Sequence, residues 1–145
     1  MTSLNPYLNF NGNCEEAFNF YKSVFGGEYL TKMRFKDTPK EHQMPGSEGE
    51  SEKIMHVSLP IGNGTVLMGS DVPEAFGKAN IGSNFYISIN ADSEKEAEKL
   101  FNTLSAGGKV AMPLDKAFWG AYFGMFTDKF GIQWMVNYDY NRKNQ

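Results

Sequence analysis

The sequence predicts an α+β fold in which two βαβββ modules form a curved mixed sheet. Two observations predict it. The first is a plan stated twice, about 80 residues apart. Asn11-Gly12-Asn13-Cys14-Glu15-Glu16-Ala17 opens an amphipathic stretch that runs to Phe25 and stops at Gly26-Gly27. Asn90-Ala91-Asp92-Ser93-Glu94-Lys95-Glu96 opens another, which runs to Ala106 and stops at Gly107-Gly108. The second is that one short apolar strand pattern precedes each stretch and further strand patterns follow it. A period this long is no solenoid repeat; it marks a duplicated half-domain. Two such halves enclose a concave face, the kind of surface on which a small molecule sits.

In the first half, Tyr7 to Phe10 predicts a strand. Asn13 is an N-cap residue, and Glu16 three positions later completes a capping-box pattern. Ala17, Phe18, Phe20, Tyr21, Val24 and Phe25 then make an apolar stripe at helical spacing. Glycine enters a left-handed C-cap freely, so Gly26-Gly27 ends the helix. Glu28 to Phe35 alternates weakly as a second strand. Between Lys36 and Lys53 the pattern fails: Pro39, Pro45, Gly46 and Gly49 stand among mixed charges. A loop of this length is mobile or functional. It could close as a lid, dock on a partner subunit or stay unstructured. Ile54 to Pro60 and Thr65 to Ser70 form a hairpin through Ile61-Gly62-Asn63-Gly64. Asp71 to Ser83 is the linker.

The second half runs in the same order. Asn84 to Ile89 is a strand, and Ser93 with Glu96 is a capping box. Ala97, Leu100, Phe101 and Leu104 are the buried stripe. Lys109 to Met112 is a short strand, and Trp119 to Thr127 pairs with Ile132 to Tyr138 through Asp128-Lys129-Phe130-Gly131. Asp139 to Gln145 is a polar, frayed tail. The whole, residues 1–145, is one domain with half-modules of about 1–72 and 80–140.

Bulk properties exclude several classes. The 145 residues carry a formal net charge of −3, and no face gathers Lys and Arg, so no nucleic-acid partner is expected. Apolar runs are far short of a membrane span, and Met1 to Pro6 lacks the regions of a signal peptide. A cytoplasmic protein follows. One cysteine rules out an internal disulfide framework and a cysteine zinc cluster. The aromatic share of 14% suits a filled core, an aromatic-lined pocket or a dimer interface.

Alternation assigns strand faces. Phe85, Ile87 and Ile89 fall on one face, suited to a helix, with Asn84, Tyr86 and Ser88 opposite. Met55, Val57 and Leu59 fall on one side of their strand, with Ile54, His56 and Ser58 on the other. The semi-polar faces are expected to line one concavity through His56, Ser58, Asn84, Tyr86 and Ser88, unless solvent or a partner subunit covers them. Of Trp119, Tyr122, Phe123 and Trp134, most belong to the core. Trp119 and Tyr122 are the two expected at the ligand.

Specific strings carry a resemblance. Asn5-Pro6-Tyr7-Leu8-Asn9-Phe10 running on to Ala17-Phe18, Ile54-Met55-His56 and Leu67-Met68-Gly69-Ser70-Asp71 resemble the PhnB-like branch of the vicinal oxygen chelate superfamily. Trp119-Gly120-Ala121-Tyr122-Phe123-Gly124, followed by Asp128-Lys129-Phe130-Gly131-Ile132-Gln133-Trp134, is the most specific part. The superfamily includes glyoxalase I, bleomycin-resistance proteins and extradiol dioxygenases. The resemblance covers nearly the whole chain and implies a homodimer whose modules complete each other's sites. The branch has carried a 3-demethylubiquinone methyltransferase-like label. However, no glycine-rich turn here follows a strand, opens a helix and leads to an acidic residue, as a nucleotide-type methyl-donor site would.

The resemblance also implies a divalent metal held by His, Gln or Glu from both halves. By motif spacing those positions fall near Pro6, Met68, Asn84 and Met135. Proline has no donor side chain and thioethers suit hard ions poorly, so neither a metal nor any other cofactor is expected.

Catalytic candidates are His56 and Asp71. His56 could serve as a general base near neutral pH or be a satisfied buried histidine. Asp71, ahead of Pro73, could be a rim carboxylate or turn chemistry. Cys14, at a helix start, could be an activated thiol or a structural one. His42 is expected to be solvated. Three functions fit: a metal-free binder of a small apolar or aromatic compound, an enzyme on a small oxygenated substrate, or an assembly module with a filled cup. The retained polar face and degraded metal positions favour the binder.

Overall fold

The computed structural model describes residues 2–42, 49–62 and 64–141. Pro45 and Gly46 of the long loop, Asn63 of the hairpin and the tail beyond Asn141 lie outside them. The chain divides into two compact units, Met1–Asn80 and Ile81–Gln145. The first contains β1 (Tyr7–Phe10), α1 (Cys14–Phe25), β2 (Thr31–Arg34), β3 (Ile54–Ile61) and β4 (Thr65–Asp71). The second contains β5 (Ile87–Asn90), α2 (Glu94–Ser105), β6 (Lys109–Ala117), β7 (Ala121–Thr127) and β8 (Gln133–Asp139). Each is a four-stranded mixed sheet, ordered β1-β4-β3-β2 and β5-β8-β7-β6. In both, the first strand runs parallel to the last, and every other neighbouring pair is antiparallel. A parallel pair needs a crossover, and here the helix and the strands after it supply one. The duplicated plan is therefore two copies of one topology.

One face of each sheet takes the helix. Leu8, Phe10, Val57, Leu59 and Leu67 alternate along their strands and are buried, as are Ala17, Phe18 and Tyr21 of α1. The Phe18 ring meets Phe10 and Tyr21 edge-on, at 6.1 and 5.6 Å. A Cβ at Gly69 of β4 would stand 2.7 Å from Cε1 of Phe18, so the ring lies against bare backbone. The second unit repeats this device. Phe101 of α2 meets Phe126 edge-on at 5.0 Å, and a Cβ at Gly124 would lie 2.6 Å from its Cε2.

Several expected boundaries move, although helix α1 ends as expected at Phe25, ahead of Gly26, whose φ of 78° is open to glycine and costly for other residues. Its N-terminus is not capped by Asn13, whose side chain makes no capping bond. Strand β2 is shorter than Glu28 to Phe35, and 3₁₀ turns follow it at Phe35–Asp37 and Lys40–His42. The returning limb of the long loop is stitched down. Phe35 N–H donates to Lys53 O and Lys36 N–H to Ser51 O, both at 3.0 Å. Buried Glu50 accepts from Glu74 N–H at 3.2 Å and pairs with Lys53. Strand β6 runs to Ala117, past the expected Met112. The start of the tail is tied rather than frayed: Asp139 ends β8, and Tyr140 N–H donates to Gly120 O at 3.0 Å. No helix among the described residues is long and apolar enough to cross a membrane.

Candidate functional site

The face of the first sheet turned away from α1 begins at Tyr7. Register sets Tyr7 opposite Met68, Met68 opposite Ser58, and Ser58 opposite Thr31, so a row of polar and thioether groups crosses all four strands. His56 stands two residues along β3 from Ser58, opposite Met33. Residues two apart share a face, so His56 joins the row's side of the sheet. The Tyr7 and His56 rings stack with centroids 5.7 Å apart, and Tyr7 Oη lies 3.3 Å from His56 Nδ1. With the hydroxyl donating, Nδ1 is the acceptor and Nε2 carries the proton, which leaves an N–H donor for a ligand. His56 is partly exposed and Ser58 buried. Ile54, expected on this face, is buried instead. The register shifts between Met33 and Arg34, which sets Ile54 against Arg34 and leaves Met55 unopposed.

In the second unit the face away from α2 carries Ser88, Met135, Met125 and Met112 in one row. Phe123 lies in a neighbouring row, between Asp115 and Asn137. Trp119 meets Phe123 at 5.6 Å, and Phe118 meets Trp119 at 5.1 Å. Trp119 sits in the turn before β7 rather than on the strand and is 52% exposed; Phe118 is 98% exposed.

Three of the expected ligand residues are placed differently from the sequence reading. Asn84 and Tyr86 precede β5, which begins only at Ile87, so no ladder position assigns them a face. Phe85, expected against the helix, is 56% exposed, and Gln133 Nε2 donates to its carbonyl at 2.6 Å. Tyr122 stands on the helix side, where its hydroxyl donates to Glu98 Oε1 of α2 at 3.0 Å. Burial and that carboxylate raise its phenol pKa above the ordinary value. Trp134 is fully buried and belongs to the core. Tyr7 is not among the residues expected from the sequence, yet it alternates with Leu8 and Phe10 and so faces away from the helix.

Two buried carboxylates, Asp71 and Asp128, are committed to structural hydrogen bonds. Asp71, only 2% exposed, accepts at Oδ1 from Gly12 and Cys14 N–H, and at Oδ2 from Ile54 N–H, each at 2.9 Å. It thus does the capping expected of Asn13 and fastens the start of β3 to α1. Asp128 holds its turn the same way, accepting from Phe130 and Ile132 N–H at Oδ1 and from Trp134 Nε1 at Oδ2. Buried and bonded at both oxygens, neither group is presented to a substrate. Cys14 is fully buried; burial pushes its thiol pKa up, and Asp71 and Glu15 add to the effect. The thiolate required of a reactive cysteine is suppressed, contrary to activation at a helix start. His42 is exposed, as expected.

With this geometry in view, the chain matches the family model "Glyoxalase/Bleomycin resistance protein/Dioxygenase superfamily" over residues 3–136. The chain belongs to that superfamily. It is 34% identical over 140 residues to Protein YjdN of Escherichia coli (strain K12), spanning 92% of this chain and 93% of the relative. The structure of protein PA1353 from Pseudomonas aeruginosa matches with a TM-score of 0.84 and 45% identity, covering 96% of this chain and 98% of that one. The PhnB protein from Bacillus cereus matches at a TM-score of 0.74 and 25% identity, with 94% and 99% covered. Within the glyoxalase/bleomycin resistance superfamily these relatives place the chain in the PhnB-like branch.

The residues do not fit the divalent metal which that superfamily implies. Register sets Tyr7, not Pro6, opposite Met68, while the Pro6 carbonyl accepts from Met68 N–H at 3.1 Å. In the second unit Ser88, not Asn84, stands opposite Met135. Each pair is one hydroxyl and one thioether, whereas hard divalent ions take carboxylate oxygens and borderline ones imidazole. Among the described residues no three His, Cys, Asp or Glu side chains come together as a metal site.

Proposed function

We propose that this protein binds a small apolar or aromatic molecule on a sheet face that turns away from its helix, without a divalent metal. The observation that carries the reading is the composition of both such faces. On the first sheet Tyr7 stands opposite Met68, with the Tyr7–His56 stack beside them; on the second Ser88 stands opposite Met135, with Phe123 and its partner Trp119 one row away. Thioethers and ring faces recognise apolar and aromatic surface, and the imidazole N–H supplies an orienting hydrogen bond. We place it in the cytoplasm as a homodimer, with no nucleic-acid or membrane partner.

The test is a thermal-shift screen of small aromatic compounds against metal-free protein. A ligand at a hundred times its Kd adds about 2.7 kcal/mol. For a chain of this size that raises Tm by about 5–10 °C. His56→Ala and Tyr7→Phe should each weaken binding while keeping the fold. No stabilisation by any compound, or near-stoichiometric divalent metal in protein purified without chelators, would overturn the reading.

A second reading rests on the 3.3 Å contact between Tyr7 Oη and His56 Nδ1. In the opposite tautomer, with Nδ1–H donating to the phenol oxygen, the Nε2 lone pair is free, so an enzyme on a small oxygenated substrate would use His56 as base and Tyr7 to position it. Turnover of a carbonyl or enediol substrate that His56→Ala abolishes would favour it over binding alone.

A further inference from the structure

Three methionines stand abreast on the second sheet. Met112, Met125 and Met135 occupy directly opposed positions on β6, β7 and β8, on the face away from α2. Adjacent strands are about 4.8 Å apart, so the three side chains rise from a line about 10 Å long. Each has three rotatable bonds and a polarizable sulfur, which lets the outer two lean over the middle one. Strand β6 shifts register on both sides of Met112 and still pairs it with Met125. Such irregularities re-aim a side chain, and here both flank the residue that completes the row.

We propose that this row is a site for a soft monovalent cation, Cu(I) or Ag(I), held by the three thioethers. Thioether sulfur is the donor that soft ions select and hard divalent ions refuse. Met135 also stands near a position at which the resemblance implies a hard-ion ligand. The inference is independent of the small-molecule reading, because it needs only β6, β7 and β8 and is probed by the ion alone. A chain that stabilised with no aromatic compound would still take Ag(I).

The experiment is a chloride-free Ag(I) titration of whole protein carrying 13C-methyl methionine, with the eight methionines of the chain as reporters. The Met112, Met125 and Met135 methyl signals should move together and saturate at one Ag(I) per chain, while Met33, Met55 and Met68 hold still. Zn(II) should move none of them. Met125→Leu conserves volume and should keep the fold. It should weaken Ag(I) binding by roughly tenfold or more. Met112→Leu, on an exposed edge strand, supplies a second variant should the first unfold. Shifts spread evenly over all methionines, saturation that survives both variants, or no shift at all would overturn the site.

Discussion

Asp71 shows how one side chain can settle a whole region. Its two oxygens take three backbone N–H groups from two elements, the start of α1 and the start of β3. Hydrogen bonds to a charged acceptor are worth about 1.5–3 kcal/mol each, and the loss of one partner strands the other. Asp71→Asn keeps one acceptor and turns an amide donor toward a backbone donor. It should cost about 3 kcal/mol, read as a lower midpoint of urea unfolding. A cost near zero would mean that the caps are replaced by solvent.

Glu15 carries a pH dependence. Its hydrogen bond to Arg34, with that to Lys32, holds its carboxyl down at about 2, below the ordinary 4.5. A depressed acid stabilises the fold above its unfolded pKa and loses that contribution as pH falls through the folded one. The window therefore runs from about 4.5 down to about 2. Glu15 is partly exposed, so solvent and salt screen the effect. The Tm gap between wild type and Glu15→Gln should be widest near pH 6 and shrink toward pH 2. A gap constant across that range would show that the cluster is electrostatically idle.

At the scale of elements, the two helices have the same length and packing but are started differently. In α2, Ser93 Oγ accepts from Glu96 N–H at 3.0 Å, and Glu96 reaches back to Asp92 N–H at 3.1 Å. In α1 the local residue is idle and the distant Asp71 acts. Ser93→Ala should therefore cost about 1 kcal/mol and Asn13→Ala close to nothing, measured by chemical unfolding of both. Equal losses would refute the asymmetry. The same scale explains the family-specific strings. Gly69 makes room for Phe18, Asp71 caps, and Asp128 clasps its turn and the indole of Trp134. These strings specify folding, which is why they identify the family more readily than the activity.

For the whole molecule, the exposed apolar groups are the informative ones. Phe118 and Trp119 are 98% and 52% exposed, and their rings meet at 5.1 Å. A contiguous apolar patch left open in one chain suits an interface. Sedimentation equilibrium should accordingly return a dimer at micromolar concentration, and Phe118→Ser should weaken it. A monomer at all concentrations would remove the homodimer from the proposal.

The sequence by itself determined the duplicated βαβββ plan, both helices with their buried stripes, the β3–β4 hairpin and the split of Val57 and Leu59 from His56 and Ser58. All of these rest on local periodicity, which the chain states directly. Tertiary structure decided the rest. Asp71 reaches Cys14 across 57 positions and Tyr7 reaches His56 across 49. Tyr122 turned to α2 because strand register, not composition, chose its side. Strand β5 began at Ile87, where its pairing with β8 begins. Register and capping arise from hydrogen bonds between distant segments, and a single-sequence pattern records only what neighbouring residues share.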